Sequence, residues 1–266
     1  MKGFDFDLGP RDDRQFDSNR SAFFQVAVIG VYDQLLDSVS PGDTVIDAGA
    51  NIGCFTLLAS RKVGPSGRVI AIEPSLHNLK LLRTNLELNQ ITNVAVLNKA
   101  LYHASDELIR FKEDGIVGKI DDSGQSLVRT ITLEDVIVDS NLSNAIAIKM
   151  DIEGAEESVF NTVIVKPKTP AGIKSFAIEI HTQESFRVVI EALERFGFEH
   201  SGALSEGDFL LPAWNFLVAH PILTYGLYGW RALPVGLRML RYRLLRKAGT
   251  VNSKGMFETA LIFAFR

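Results

Sequence analysis

Cysteine is almost absent: the 266-residue chain carries one, Cys54. No intramolecular disulfide can form, which excludes the small disulfide-stapled secreted scaffolds and fits a reducing compartment. A dominant charge sign is missing too. With 28 Lys and Arg against 32 Asp and Glu the net charge is -4, so the molecule has no global attraction for nucleic acid, and no nucleic-acid partner is expected. The first residues, "MKGFDFDLGPRDDRQFD", lack the uninterrupted apolar core of a signal peptide, and the expected location is cytoplasmic. Internal repeats and low-complexity tracts are also missing.

What is present is apolar material in short, regular portions. Hydrophobic residues make up 46% of the chain, enough for one sizeable core with appendages. "DTVIDA" (43–48), "RVIAIE" (68–73), "NVAVLNKA" (93–100), "AIAIKMD" (145–151) and "SFAIEIH" (175–181) are β-branched runs of the kind buried in parallel sheets. Helical stretches are expected at 21–39, 52–62, 76–88, 155–163 and 185–196, several ending at a glycine. Strands alternating with helices imply βαβ units and an α/β, doubly wound parallel sheet whose ligands sit at the carboxyl ends of the strands. "FEHSGAL" (198–204) and "WNFLVAH" (214–220) supply two further strands, for seven in all. Residues 101–137 interrupt the rhythm: "ELIRF" and "SLVRTITLEDVI", separated by a Gly- and Asp-rich stretch, predict a hairpin or flap. The expected division is an N-terminal extension and helix over 1–40, a main domain over 41–220, and an appendage over 221–266. The closing "FETALIFAFR" reads as either another strand or an apolar packing segment.

The stretch "VIDAGANIGCFTLLAS" (45–60) places an acid at a strand end, then a glycine loop, then a helix, which suits a nucleoside held against bare backbone. A dinucleotide fingerprint needs glycines at the first, third and sixth positions, but counting from Gly49 finds Asn51 third and Cys54 sixth. NAD is disfavoured on that ground. Glu73 ends the next strand, 20 residues beyond Gly53, where a carboxylate can accept hydrogen bonds from both ribose hydroxyls of an adenosine. Together these features suggest S-adenosyl-L-methionine.

In order along the chain, "VIDAGANIGCFTLLAS", "VIAIEPSLHNLKLLRTNLELN", "TITLED" and "IKMDIEGAEESVF" resemble the motifs of the FkbM-type methyltransferases, within the class I S-adenosylmethionine-dependent superfamily. The resemblance covers roughly residues 40–182 and implies a Rossmann-like sheet. It also implies that Asp47, Gly49, Ala50, Asn51 and Gly53 surround the methionine part of the cofactor, that Glu73 with Pro74 holds the ribose, and that residues 98–100, ending at Ala100, lie beside the adenine.

Acceptor chemistry must be read elsewhere. The Asn/Asp-Pro-Pro-Tyr pattern common in base N-methyltransferases is replaced after the fourth strand by "KMDIEGAE". Here Asp151, Glu153 and Glu156 gather at a strand end and helix start, and alternation puts Glu179 and His181 on one side of the fifth strand. A hydroxyl is a poor nucleophile while protonated, so Asp151, Glu153, Glu179 and His181 are candidate bases or positioning groups. Each has a plainer role: the glutamates favour a helix N-terminus, His181 suits a structural hydrogen bond, and Lys149 would pair with Glu179. Oxygen ligands from Asp151, Glu153 and Glu179 would suit Mg or Ca, but no diagnostic spacing supports a metal, and none is assigned.

From Phe209 to Phe257 no acidic residue occurs, while Arg231, Arg238, Arg241, Arg243, Arg246, Lys247 and Lys254 accumulate beside Tyr225, Tyr228, Trp230 and Tyr242. Prolines and glycines argue against a spanning helix in 209–230. "LRMLRYRLLRK" could lie on the anionic inner face of a membrane, grip a phosphorylated or lipid-linked substrate, cover the domain or join a homodimer. The resulting expectation is an O-methyltransferase acting on a sugar, glycan precursor, or lipid-linked or natural-product hydroxyl. An N-methyltransferase and a non-catalytic S-adenosylmethionine-binding protein are the alternatives.

Overall fold

The structure, a computed structural model, describes residues 4–10, 14–114, 117–139, 145–165, 172–201 and 260–266. Helix α1 (Arg14–Phe24) runs through a π-helical turn (Gln25–Ile29) to α2 (Asp33–Ser38). Then follow β1 (Thr44–Ala48), α3 (Cys54–Val63), β2 (Arg68–Ile72), α4 (Leu76–Leu88), β3 (Val94–Leu97) and β4 (Ala100–Leu101). Next come β5 (Leu108–Asp114), β6 (Val117–Ile120), β7 (Ser126–Ile131), α5 (Leu133–Asp139), β8 (Ile146–Met150) and α6 (Glu156–Val165). The chain closes with β9 (Ile173–Ile180), α7 (Gln183–Arg195), β10 (Glu199–His200) and β11 (Ala260–Phe265).

The main sheet has seven strands in the order β10-β11-β9-β8-β1-β2-β3. β1, β2, β3, β8 and β9 are parallel, and β11 runs antiparallel to both its neighbours. The expected doubly wound, mostly parallel seven-stranded architecture is therefore present. Its central strands "TVIDA" and "IAIKM" are buried along their whole length, which is why their sequences are continuous apolar runs rather than alternating ones. Alternation still divides the core. Ile46 and Ile148 pack with α5, α6 and α7 on one face, while Val45 and Ala147 pack with α2 and α3 on the other.

Several local expectations change. The single helix predicted over 21–39 is broken at Gly30, whose φ of 72° no α-helix tolerates, and α2 restarts at Asp33. The run 93–100 splits at Asn98-Lys99 so that β4 joins a second, four-stranded sheet, β4-β7-β5-β6. That sheet is the predicted flap, with β5 pairing antiparallel to β6 and β7. "SLVRTITLEDVI" is a strand only to Ile131. Thr132 then accepts the Asp135 N–H at 3.1 Å and starts α5.

The carboxyl-terminal organisation differs most. "FETALIFAFR" resolves as a strand: β11 inserts between β9 and β10, with Ile262, Phe263 and Ala264 buried. The main domain thus takes a strand from beyond the boundary expected at 220. "WNFLVAH" and the basic stretch 221–248 lie outside the described residues. Among the described residues no helix is long and apolar enough to cross a membrane.

Candidate functional site

Strand order reverses between β1 and β8, and in doubly wound sheets ligands bind outside the carboxyl ends at such a point. The two ends lie side by side: Ala48 pairs with Met150, and the Asp151 N–H donates to the Ala48 carbonyl at 3.1 Å. The loop leaving β1 is left-handed at Gly49, Asn51 and Gly53, with φ of 76°, 51° and 92°. Gly49 has a steric reason as well, because a Cβ there would stand 1.8 Å from the Asp151 carbonyl oxygen. Its N–H and that of Ala50 donate to the Ile72 carbonyl at 2.9 and 3.0 Å, tying the loop to β2.

Behind the loop lies a buried ionic brace. Asp47 is fully buried at the end of β1; its Oδ2 accepts the Thr56 hydroxyl at 2.5 Å and its Oδ1 lies 3.4 Å from Lys149 Nζ. The ammonium also donates to the Gly49 carbonyl at 2.7 Å and lies 3.7 Å from Asp151. Burial works against the charge on Lys149, but Asp47, Asp151 and Glu179 outweigh it and raise its pKa, so it stays an ammonium. The expected Lys149–Glu179 ion pair is corrected: the lysine is occupied by Asp47, Asp151 and backbone carbonyls.

Gly49, Asn51, Glu73, Pro74 and Ala100 line a cleft together with Asp151 and Glu153, and the flap adds Phe111, Gly118 and Ile120. Asp47, Ala50 and Gly53 do not line it; they hold the loop from behind. Glu73 is buried, its Oε2 accepting the Asn51 N–H at 2.8 Å and its Oε1 the Ser75 N–H at 2.9 Å and the Asn78 amide at 3.3 Å. Burial pushes its pKa up to about 7, against the pull of those donors.

The cleft fits an adenosyl ligand on two counts. Asn51 Oδ1 is buried there with no hydrogen-bond partner among the described residues, so an acceptor is free for a ligand donor. Glu73 presents a carboxylate beside it with one lone pair left over after the Asn51, Ser75 and Asn78 donors. The thiol of Cys54 plays no such part: burial raises its pKa to about 12.

Beyond the loop, Asp151, Glu153, Glu179 and His181 lie together. His181 Nε2 lies 3.3 Å from Glu153 Oε2, 3.8 Å from Asp151 Oδ1 and 4.0 Å from Glu179 Oε1. Its Nδ1 is 2.9 Å from Oε1 of Glu156, which is fully buried at the start of α6. Although burial opposes the charge, the Glu156 hydrogen bond and the surrounding carboxylates raise the His181 pKa to about 10. Asp151, Glu153 and His181 each offer one ligand atom, all within 4.8 Å of one another, so the same cluster could hold a metal ion. Burial and Asp151 push Glu153 up to about 7 and Glu179 up to about 8, both moderated by His181.

A second groove runs alongside, lined by Tyr102, His103, Glu153, Glu157, Ser158 and Asn161 among others, and among the described residues no Lys or Arg lines it. His103 Nδ1 lies 2.8 Å from the Ser158 hydroxyl, tying the flap side to α6. Glu153, Ala155 and Ile120 belong to both cavities.

Sequence reasoning missed Asn78, Phe111 and Ile120. The first lies in the quoted helix and the next two in the flap, but nothing in their spacing said which side chains would turn toward the cleft. Glu156, grouped in the sequence with Asp151 and Glu153 near the methyl site and also read as a helix-N-terminal glutamate, meets His181 Nδ1 at 2.9 Å.

A protein-family model described as the methyltransferase FkbM domain matches residues 47–200. An arsenite methyltransferase of Halobacterium salinarum is 35% identical over 57 residues, 21% of this chain and 15% of that protein, so the chain spans about a sixth of that relative's length. Among solved structures, a precorrin-6y C5,15-methyltransferase from Geobacter metallireducens is 15% identical, covering 90% of this chain and 88% of that one with a TM-score of 0.44. An S-adenosylmethionine-dependent O-methyltransferase from Thermotoga maritima is 16% identical, covering 90% and 64% with a TM-score of 0.42. Those structures are distant, and the family match stands without them. Its span runs from Asp47 at the end of β1 to the end of β10, taking in the loop, Glu73 and the His181 cluster, and on it the chain belongs to the FkbM methyltransferase family, as an S-adenosylmethionine-dependent enzyme.

Proposed function

We propose that the protein methylates a hydroxyl on a sugar, a glycan precursor, or a lipid-linked or natural-product acceptor. The carrying observation is the place of Glu153, which forms part of the wall of both the cofactor cleft and the adjoining groove. S-adenosylmethionine supplies an electrophilic methyl group, so the chain's task is to align the acceptor and take up its proton. Glu153, with its pKa pushed up to about 7, is a base matched to neutral pH. His181, carrying a charge at that pH, cannot accept a proton there and instead holds the carboxylates in place. The groove's hydroxyl, amide, aromatic and carboxylate lining suits an uncharged polyhydroxylated acceptor and repels an anionic one.

Methyl transfer from ¹³C-methyl-labelled cofactor to a panel of methyl glycosides, read by NMR, is expected to give O-methyl ethers. Turnover should rise with pH through about 7. Glu153→Gln should lower it about 10²- to 10⁴-fold with S-adenosylhomocysteine affinity unchanged. Products methylated only on nitrogen when amino sugars are added, or a Glu153→Gln variant as fast as the parent, would remove the proposal. We propose further that the basic, aromatic stretch 221–248 brings the enzyme to an anionic membrane surface, where lipid-linked acceptors reside.

A further inference from the structure

Glu179 lacks the lysine partner its sequence suggested, and the group that meets it comes from an unexpected place. The Tyr32 hydroxyl donates to Glu179 Oε2 at 3.3 Å. Tyr32 lies before α2, outside the span matched by the family model. Its position is fixed from several sides. Gly30 turns the chain with a left-handed φ, the Gly30 carbonyl accepts the Asp33 N–H at 2.9 Å, and the Tyr32 carbonyl accepts the Leu36 N–H at 3.1 Å. The ring is buried edge-on against Phe55, with centroids 5.4 Å apart, and the Lys149 ammonium lies 5.6 Å from its centre.

We propose that Tyr32 is a positioning residue of the acceptor site: its hydroxyl holds Oε2 of Glu179, leaving Oε1 turned toward His181. The catalytic meaning rests on the acceptor-site reading above, whereas the contact can be tested without any acceptor. Burial, with Asp151, Glu179 and Asp47 nearby, raises the Tyr32 pKa well above the ordinary value, so the phenol remains a donor throughout the working range. Glu179 is otherwise faced by Lys149 from β8, by Asp151 and Glu153 from the following loop, and by His181 after its own strand. Tyr32 thus gives Glu179 a neutral donor that does not add to the charges of that cluster.

The test uses full-length protein carrying ¹³C-labelled glutamate and saturated with S-adenosylhomocysteine, the Glu179 carboxyl resonance being identified by its loss in Glu179→Gln. A donor to a carboxylate favours the charged form, so Tyr32→Phe should move the Glu179 titration midpoint upward, by about one pH unit. Phe55→Leu serves as the packing control: it should lower the melting temperature and leave that midpoint in place. Superimposable titrations of parent and Tyr32→Phe, or equal shifts in Tyr32→Phe and Phe55→Leu, would overturn the proposal. Failure of the hydroxyl-acceptor reading would show separately, as an N-methylated product with the Glu179 shift intact.

Discussion

Glu73 carries two opposed pH dependences. In the protein without cofactor its folded pKa of about 7 lies above the ordinary value of 4.5, so the folded state holds that proton more tightly than the unfolded chain. Its favourable contribution is complete below pH 4.5 and is lost as pH rises through 7. Cofactor binding runs the other way, because a ribose hydroxyl donates best to the charged carboxylate. Titration calorimetry with S-adenosylhomocysteine should therefore show affinity falling as pH drops from 8 to 6. Glu73→Ala should weaken binding about 10- to 100-fold at pH 8, equivalent to about 1.4 to 2.7 kcal/mol, and flatten the pH dependence. A pH slope that survives in Glu73→Ala would assign the proton to another group. Glu73 could be placed at the cleft from the sequence because its position depends on one coordinate, the end of a strand 20 residues past a glycine. The Tyr32–Glu179 contact could not, because it depends on a turn at Gly30 that brings residues 147 positions apart together.

At the scale of elements, the loop after β1 and the start of the segment after β8 share one narrow space. Gly49→Ala would require a left-handed alanine, costing roughly 1–2 kcal/mol. Its Cβ would also stand 1.8 Å from the Asp151 carbonyl, a backbone atom that cannot rotate aside. The expected result is a lower denaturation midpoint and loss of S-adenosylhomocysteine binding, whereas Gly64→Ala, with no atom within 4 Å of the added carbon, strains only its own turn and should bind normally. Equal binding by both variants would mean that the loop yields. This explains which elements could be read from sequence. Parallel strands buried on both faces leave continuous apolar runs, and β1, β2, β8 and β9 were found for that reason. The break between β3 and β4 was not, since "NVAVLNKA" is one run locally and divides only because Ala100 and Leu101 pair with β7 in another sheet. The α5 start was hidden in the same way, by strand-like residues that continue through Ile131 into a Thr132 cap.

For the whole molecule, the decisive difference lies at the carboxyl end. Because β11 pairs with both β9 and β10, the strands that precede and follow residues 202–259 are neighbours in one sheet. The basic stretch is therefore tethered to the sheet at both ends, a connection that short-range patterning could not reveal, since β10 and β11 are far apart in sequence. A truncation near residue 220 would remove Ile262, Phe263 and Ala264 from the core, so it cannot separate lipid contact from unfolding. Charge substitutions can. Arg238, Arg241, Arg243 and Arg246 lie in a segment without an acidic residue, and near an anionic surface each contributes about 1 kcal/mol. The parent protein is expected to float with vesicles containing phosphatidylserine at low salt and to be released as ionic strength rises. Replacing all four arginines with glutamine should abolish flotation while leaving the melting temperature and S-adenosylhomocysteine affinity in place. Flotation that persists in the substituted protein, or that is equal on neutral vesicles, would reject electrostatic attachment through this stretch. Loss of cofactor affinity in the same variant would reassign the arginines to the folded enzyme.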